Sequence, residues 1–326
     1  TLRFFMKKYT FYISIVGLLI AASAVLSCSN KKNDRGGRTD TPTSGTITFY
    51  ADESFSPIIE EERKQFEYTY PKAHLKAVYT DQNTGMNQLM ALKTCLLITS
   101  RDLTKGETAM FSTKQTKAVS FPIGYDGVAL IVNRNNTDTL ITEAAARKIF
   151  SGEVTKWNQI YKHSSLGDIE VVFDNRASGT LFWVEDSLLG GKHITQKNIV
   201  AAKSSRGVID YVKRTPNAIG VVGSNWISDT RDSTNLTFLK DITVMSVSTQ
   251  DEATKSNSFK PYQYYLLNGY YPFCRTIYCI VVDPFRALPW SFSNYITGPI
   301  GQLIILKSGI LPYRGDIQVR QVNIKQ

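Results

Sequence analysis

The stretch Val172-Phe173-Asp174-Asn175-Arg176-Ala177-Ser178-Gly179-Thr180 runs from an apolar segment into a Ser-Gly-Thr turn, and the chain then reads as helical over residues 181–189. The first N–H groups of a helix lack intrahelical acceptors and carry the positive end of its dipole, so an oxyanion seated there satisfies both. Gly179 allows close approach, Ser178 and Thr180 add hydroxyl donors, and Arg176 adds charge. The same residue types also serve as plain helix caps, and the turn gains weight because three other strand exits repeat the design. Residues 46–51 exit into Asp52-Glu53-Ser54-Phe55-Ser56-Pro57, residues 73–79 into Thr80-Asp81-Gln82-Asn83-Thr84-Gly85, and residues 96–99 into Ser100-Arg101-Asp102-Leu103-Thr104. In open α/β sheets ligands bind beyond the carboxyl ends of the strands, so these hydroxyl-rich loops are expected to converge on one cleft.

The elements that must position them alternate. Apolar periodicity predicts strands over residues 46–51, 73–79, 96–99, 127–132, 169–173, 218–222 and 276–282. It predicts helices over 57–70, 87–93, 142–150, 181–189 and 204–212, with a helical region over 285–308. This order implies an α/β fold with parallel pairing. About 280 residues follow the N-terminal segments, which suggests two lobes.

The N-terminus reads as an export signal. Met6-Lys7-Lys8 is basic, residues 11–25 are almost continuously apolar, and Val25-Leu26-Ser27 places small residues before Cys28. The apolar run is shorter than the roughly 20 residues of a spanning helix. It ends in a loose lipobox, with Cys28 as the expected lipidated N-terminus after residues 1–27 are removed. Residues 28–45 are polar, rich in Gly, Ser, Thr and Lys, and read as a flexible tether. The full chain has 38 Lys and Arg against 28 Asp and Glu; loss of Arg3, Lys7 and Lys8 with residues 1–27 lowers the formal charge from +10 to +7. The basic residues are spread out, without the dense run that marks a nucleic-acid partner, and a mildly positive field suits capture of a small anion. Cys274 and Cys279 are five apart in a predicted strand and point to opposite faces, which argues against a disulfide. His74, His163 and His193 show no metal-ligand spacing, and no cofactor or metal is expected. No P-loop, Gly-x-Ser-x-Gly elbow or histidine-nucleophile pair is present, so no enzymatic activity is expected. The tyrosines of residues 262–271 read either as a carbohydrate or partner surface or as a buried lobe edge.

Beyond these features, the chain resembles the periplasmic phosphate-binding proteins of bacterial ABC phosphate importers, members of the type II periplasmic binding-protein superfamily. The likeness covers nearly everything after the tether. It rests on Ser54-Phe55-Ser56-Pro57, on Ser100-Arg101-Asp102-Leu103-Thr104 with Glu107, and on Pro122-Ile123-Gly124-Tyr125-Asp126-Gly127. It continues through Ile149-Phe150-Ser151-Gly152-Glu153-Val154-Thr155-Lys156-Trp157, Ser178-Gly179-Thr180, Ala218-Ile219-Gly220, Gly301-Gln302 and Lys307-Ser308-Gly309.

The resemblance implies a monomeric, two-lobed type II fold. Each lobe holds a mixed, mostly parallel sheet flanked by helices, and two crossover strands join them, with residues 46–124 and 276–326 in lobe I and 125–275 in lobe II. It implies that the lobes close on inorganic phosphate, held by Ser54 and the Phe55 amide, by Thr84, by Ser100 with Arg101, and by Ser178, Gly179 and Thr180. Two departures stand out. The usual arginine four residues before the Ser-Gly-Thr serine is Asp174 here, while Arg176 lies two before. The position after the third-loop serine, an aspartate in some members, is Arg101. A carboxylate is still expected, because hydrogen phosphate carries a proton that sulfate lacks, and Asp126 and Asp102 are the candidates. The expected function is a lipid-anchored, envelope-located protein that delivers phosphate to an ABC permease. Alternatives are a receptor for sulfate or molybdate, a phosphate-ester hydrolase, or a sensor or adhesin on the same fold.

Overall fold

The computed structural model describes residues 37–195, 198–228 and 237–315. The expected signal segment and Cys28 lie outside the described residues, as do residues 316–326 of the expected lobe I. Among the described residues no helix is long and apolar enough to cross a membrane.

The first half begins with β1 (Ser44–Asp52), whose Ile47, Phe49 and Ala51 alternate into the core. Helix α1 (Ser56–Thr69) starts on Pro57, whose fixed φ and missing N–H suit a first turn. Next come β2 (Lys72–Thr80), α2 (Gln82–Met90), β3 (Leu96–Thr99) and α3 (Lys105–Thr113). Thr104 and Glu107 close a reciprocal capping box at the start of α3. β4 (Val119–Asn133) then leaves this half and carries the chain into the second. There the order is β5 (Leu140–Thr142), α4 (Glu143–Ser151), β6 (Glu170–Phe173), α5 (Gly179–Trp183), β7 (Ile199–Ala201), α6 (Ser205–Arg214) and β8 (Ala218–Gly223). β9 (Ile242–Val244), β10 (Ser246–Ser248) and α7 (Gln263–Leu267) follow. β11 (Cys274–Val281) returns to the first half, which ends with α8 (Leu288–Thr297), α9 (Pro299–Lys307) and β12 (Leu311–Pro312).

The main sheet runs β2-β1-β3-β11-β4-β8-β6-β7, with β9 and β12 also on β4. β1 is parallel to β2 and β3, and β6 is parallel to β7 and β8, as the alternation predicts. β11 and β4 cross between the halves antiparallel to their neighbours. Residues 119–127 of β4 pair with β11 and residues 128–132 with β8, so one strand serves both halves. The expected boundaries at 124/125 and 275/276 fall inside these two shared strands. Phe49, Phe66 and Phe292 form an aromatic core under α1 and α8. Trp157, Phe150 and Phe173 anchor the second half.

Four of the predicted elements differ in extent or continuity from the sequence expectation. α2 starts at Gln82 and not at residue 87, because the Asp81 carboxylate accepts from the Thr84 N–H at 2.8 Å and opens the helix early. β4 starts at Val119, eight residues before the predicted 127. Its Pro122 is tolerated at a register shift opposite Ile277 and Tyr278, where no ladder N–H is required. The helix after Gly179 loosens into a π-turn over Val184–Leu188. The C-terminal helical region breaks at Gly298-Pro299, since proline has no N–H to donate to the continuing ladder.

Candidate functional site

The carboxyl ends of β1 and β3, the crossing strands β4 and β11, and the starts of α5 and of the 3-10 turn Ser224–Trp226 meet in one buried polar cluster. Its centre is Arg275, on β11. The guanidinium donates from Nε (3.0 Å) and Nη2 (2.8 Å) to Asp126 Oδ2, and from Nη2 to Ser54 Oγ at 3.0 Å. It also lies 4.5 Å above the Phe55 ring. Asp126 Oδ1 accepts from the Ser224 N–H (2.9 Å) and Oγ (2.8 Å). Both oxygens of Asp126 are therefore spent on holding Arg275 and the turn after β8. A buried ion pair needs this degree of satisfaction to offset its desolvation.

Asp52, at the end of β1, accepts on Oδ1 from the Ser54 N–H (2.9 Å) and Oγ (2.7 Å). Burial lifts its carboxyl above the ordinary range, against the opposing pull of Arg275 and the Ser54 hydrogen bond. Among the buried atoms of the cluster that keep no hydrogen-bond partner are Asp52 Oδ2 and Arg275 Nη1. They face the same point. A Cβ built on Gly179 would lie 2.3 Å from Asp52 Oδ2, 2.6 Å from Ser100 Oγ and 3.0 Å from Arg275 Nη1. Gly223 closes the other flank, where a Cβ would stand 2.7 Å from Asp126 Oδ2 and 3.1 Å from Arg275 Nη2. Only glycine lets the second half approach so closely.

The remaining hydroxyls are engaged locally. Ser100 Oγ donates to Gln82 Oε1, leaving the Gln82 Nε2 without a partner. Ser178 Oγ caps α5 through the Leu181 N–H at 3.2 Å, and Thr180 Oγ1 donates to Asp174 Oδ1 at 3.0 Å. Burial pushes the Asp174 carboxyl up, opposed by the Ser178 and Thr180 hydroxyls.

Of the residues expected at the cleft, the structure brings together Ser54, Phe55, Ser100, Asp126, Ser178, Gly179 and Thr180. It does not bring Thr84, Arg101 or Arg176 into this cluster. Thr84 is exposed on the first turn of α2, its hydroxyl bonded to Asp81 at 2.7 Å. Arg101 forms a two-pronged pair with Glu107 (2.7 and 2.9 Å), on the wall of a groove of about 290 Å³ that Ser100 and Arg275 also line. Arg176 is exposed in the loop after β6, and Asp102 is exposed with Oδ1 on the Leu103 N–H. Sequence reasoning passed over Arg275, Asp52 and Gln82. The signal for Arg275 was a single cation inside the apolar run Phe273-Cys274-Arg275-Thr276-Ile277, since a buried charge requires a partner.

Cys274 and Cys279 are free thiols, the second fully buried. In the tyrosine-rich segment Tyr271 is buried, while Tyr264 and Tyr270 stay about half exposed in a network of ring contacts.

Among curated proteins, the chain is 24% identical over 317 residues to the phosphate-binding protein PstS of Borreliella burgdorferi, covering 94% of this chain and 99% of that one. It is 22% identical over 238 residues to the PstS of Staphylococcus epidermidis, covering 72% and 71%. Among solved structures it is similar to a putative phosphate ABC transporter substrate-binding protein with bound phosphate from Clostridium perfringens (TM-score 0.70, 20% identity, 83% of this chain and all of that chain). A second is an ABC-type phosphate transport receptor from Vibrio cholerae (TM-score 0.60, 17% identity, 82% of this chain and all of that one). The fold is thus the two-lobed type II binding-protein fold, as the resemblance implied. The family profile described as the PBP superfamily domain matches residues 36–299, and the chain belongs to that family.

Proposed function

We propose that this protein captures inorganic phosphate between its two halves and delivers it to an ABC permease at the cell envelope. The observation that carries this reading is the pair of buried unpartnered atoms converging on Gly179: one guanidinium donor, Arg275 Nη1, and one carboxyl oxygen, Asp52 Oδ2. A ligand that matches them carries both an acceptor oxygen and an acidic hydroxyl. Hydrogen phosphate has both, and sulfate at neutral pH has only acceptors. Asp52 Oδ2, as a free acceptor, takes the proton of hydrogen phosphate, whereas a fully ionised oxyanion offers it none. The names of the similar proteins, which are phosphate-binding and phosphate-transport proteins, point the same way.

In this reading Arg275 and Asp52 contact the anion together with the starts of α1 and α5, where Ser54, Phe55, Ser178, Gly179 and Thr180 lie. Ser100 contributes its hydroxyl once Gln82 releases it. Asp126 positions Arg275. Closure of the two halves encloses the anion, and residues 46–124 with 276–326 move against 125–275 about the shared strands β4 and β11. The protein acts as a monomeric receptor and not as a catalyst, since the hydroxyls of Ser54 and Thr180 serve carboxylates and none faces a histidine base. A lipid on Cys28 tethers it to the membrane after cleavage before that residue; Cys28→Ala is expected to leave the protein unprocessed by lipidation and released from membranes on fractionation.

The deciding experiment is calorimetric titration of the protein, freed of bound ligand, with phosphate and then sulfate between about pH 5 and 8. One-to-one phosphate binding with sulfate excluded supports the reading. Equal binding of both would assign a general oxyanion receptor, and binding of neither would sink it.

A further inference from the structure

Three contacts join the halves without using the cleft-facing atoms of Asp52 and Arg275. The turn after β1 places Glu53 over the start of α6, where its Oε2 accepts from the Ser205 N–H at 3.1 Å and from Ser205 Oγ at 2.7 Å. α6 is already capped from its own half, with Ser204 Oγ accepting from the Gly207 N–H at 3.0 Å. Glu53 therefore adds a charged acceptor to the same helix end from the opposite half, where the dipole favours it. Beside it the Ser54 carbonyl accepts from Asn225 Nδ2 and from Trp226 Nε1, each at 2.9 Å. Ser54 thus turns its side chain to Arg275 and its carbonyl to the turn after β8.

We propose that Glu53–Ser205 and the Ser54 carbonyl with Asn225 and Trp226 form a latch that sets how long the cleft stays shut, apart from the atoms that recognise the anion. It rests on the reading in which the anion sits between the halves. The latch bonds exist only while the halves touch, so their free energy biases the open-closed equilibrium whether or not a ligand is present. An enclosed anion leaves only after they break. Their effect therefore falls mainly on dissociation, since entry changes only with the fraction of empty protein that is open.

The test uses Glu53→Ala, Glu53→Gln and Trp226→Phe in the full chain, with phosphate as the probe. Phosphate release is followed by stopped flow, and the radius of gyration of phosphate-free protein by X-ray scattering. Glu53→Ala is expected to speed release about tenfold, as for loss of a charge-assisted hydrogen bond, with association held within about twofold. Glu53→Gln, which keeps an acceptor oxygen without the charge, should fall between the two. Trp226→Phe removes the indole N–H but keeps a ring, and should speed release by about threefold. The phosphate-free double variant Glu53→Ala/Trp226→Phe should be more expanded than the parent. Unchanged release in the single variants, or a change confined to association, overturns the latch. If the parent protein does not bind phosphate at all, the ligand assignment fails while scattering still decides the latch, since equal dimensions of parent and double variant would refute it.

Discussion

Asp126 and Glu62 are both fully buried carboxylates, and they sit in opposite kinds of surroundings. Asp126 lies where β4, β11 and the turn after β8 converge, and four donor contacts from Arg275 and Ser224 reach its two oxygens. Glu62 lies two turns into α1, within the first half, and neither of its oxygens has a partner. Burial alone pushes its carboxyl up to about 8. A perturbed acid is therefore not a site by itself. What separates the two is convergence: several elements of distant sequence aim polar atoms at one, and a single helix delivers the other into a core.

Removing Arg275 should break the contrast most. Arg275→Ala leaves Asp126 buried and unpaired, and is expected to cost about 3–5 kcal/mol of stability in denaturant melts and to abolish phosphate binding in calorimetry. Arg275→Lys should not restore binding, because an ammonium cannot hold Asp126 and Ser54 while leaving a second nitrogen free for the anion. Glu62 offers the opposite experiment. Its folded-state value of about 8 exceeds the ordinary glutamate value of 4.5, so the folded protein binds the extra proton. Stability is then present below about pH 4.5 and drains away as pH rises toward 8, by on the order of 5 kcal/mol. Denaturant melts of Glu62→Gln should lack that slope; an unchanged slope would show that another group carries it.

Asp52→Asn sharpens the comparison within the cleft. It removes the carboxylate that takes the ligand's proton, so phosphate should weaken by about 1–3 kcal/mol while sulfate gains affinity, both read by titration. The smallest effect belongs to Arg101→Ala. The Arg101 pair holds the Glu107 carboxyl down at about 2, so its contribution is present above the ordinary value of 4.5 and lost on acidification toward 2. As an ion pair at the edge of solvent it should contribute less than about 1 kcal/mol, with phosphate affinity unchanged.

The alternation of strands and helices was legible because it is written locally, in period and in punctuation. Ser54-Phe55-Ser56-Pro57 and Ser178-Gly179-Thr180 were legible for the same reason: a strand end, small polar residues and a helix start lie within a few positions. Thr84 was misplaced by a local competitor, since Asp81 opens α2 early and turns Thr84 onto its own helix end. Arg275 was not legible from spacing. Its partner Asp126 lies 149 residues earlier, and the two meet only because β11 pairs with β4. Arg101 and Arg176 lie nearer to the recognisable motifs, and there Arg101 pairs with Glu107 while Arg176 is exposed.

The position of β11 in the sheet also bears on how the chain acquires its structure. β3 and β4 are close in sequence, yet β11 lies between them. Until residues 274–281 are available, the sheet of the first half has two open edges and Asp126 has no cation. Its folding must therefore wait for the last quarter of the chain, a long loop closure that makes assembly slow and late.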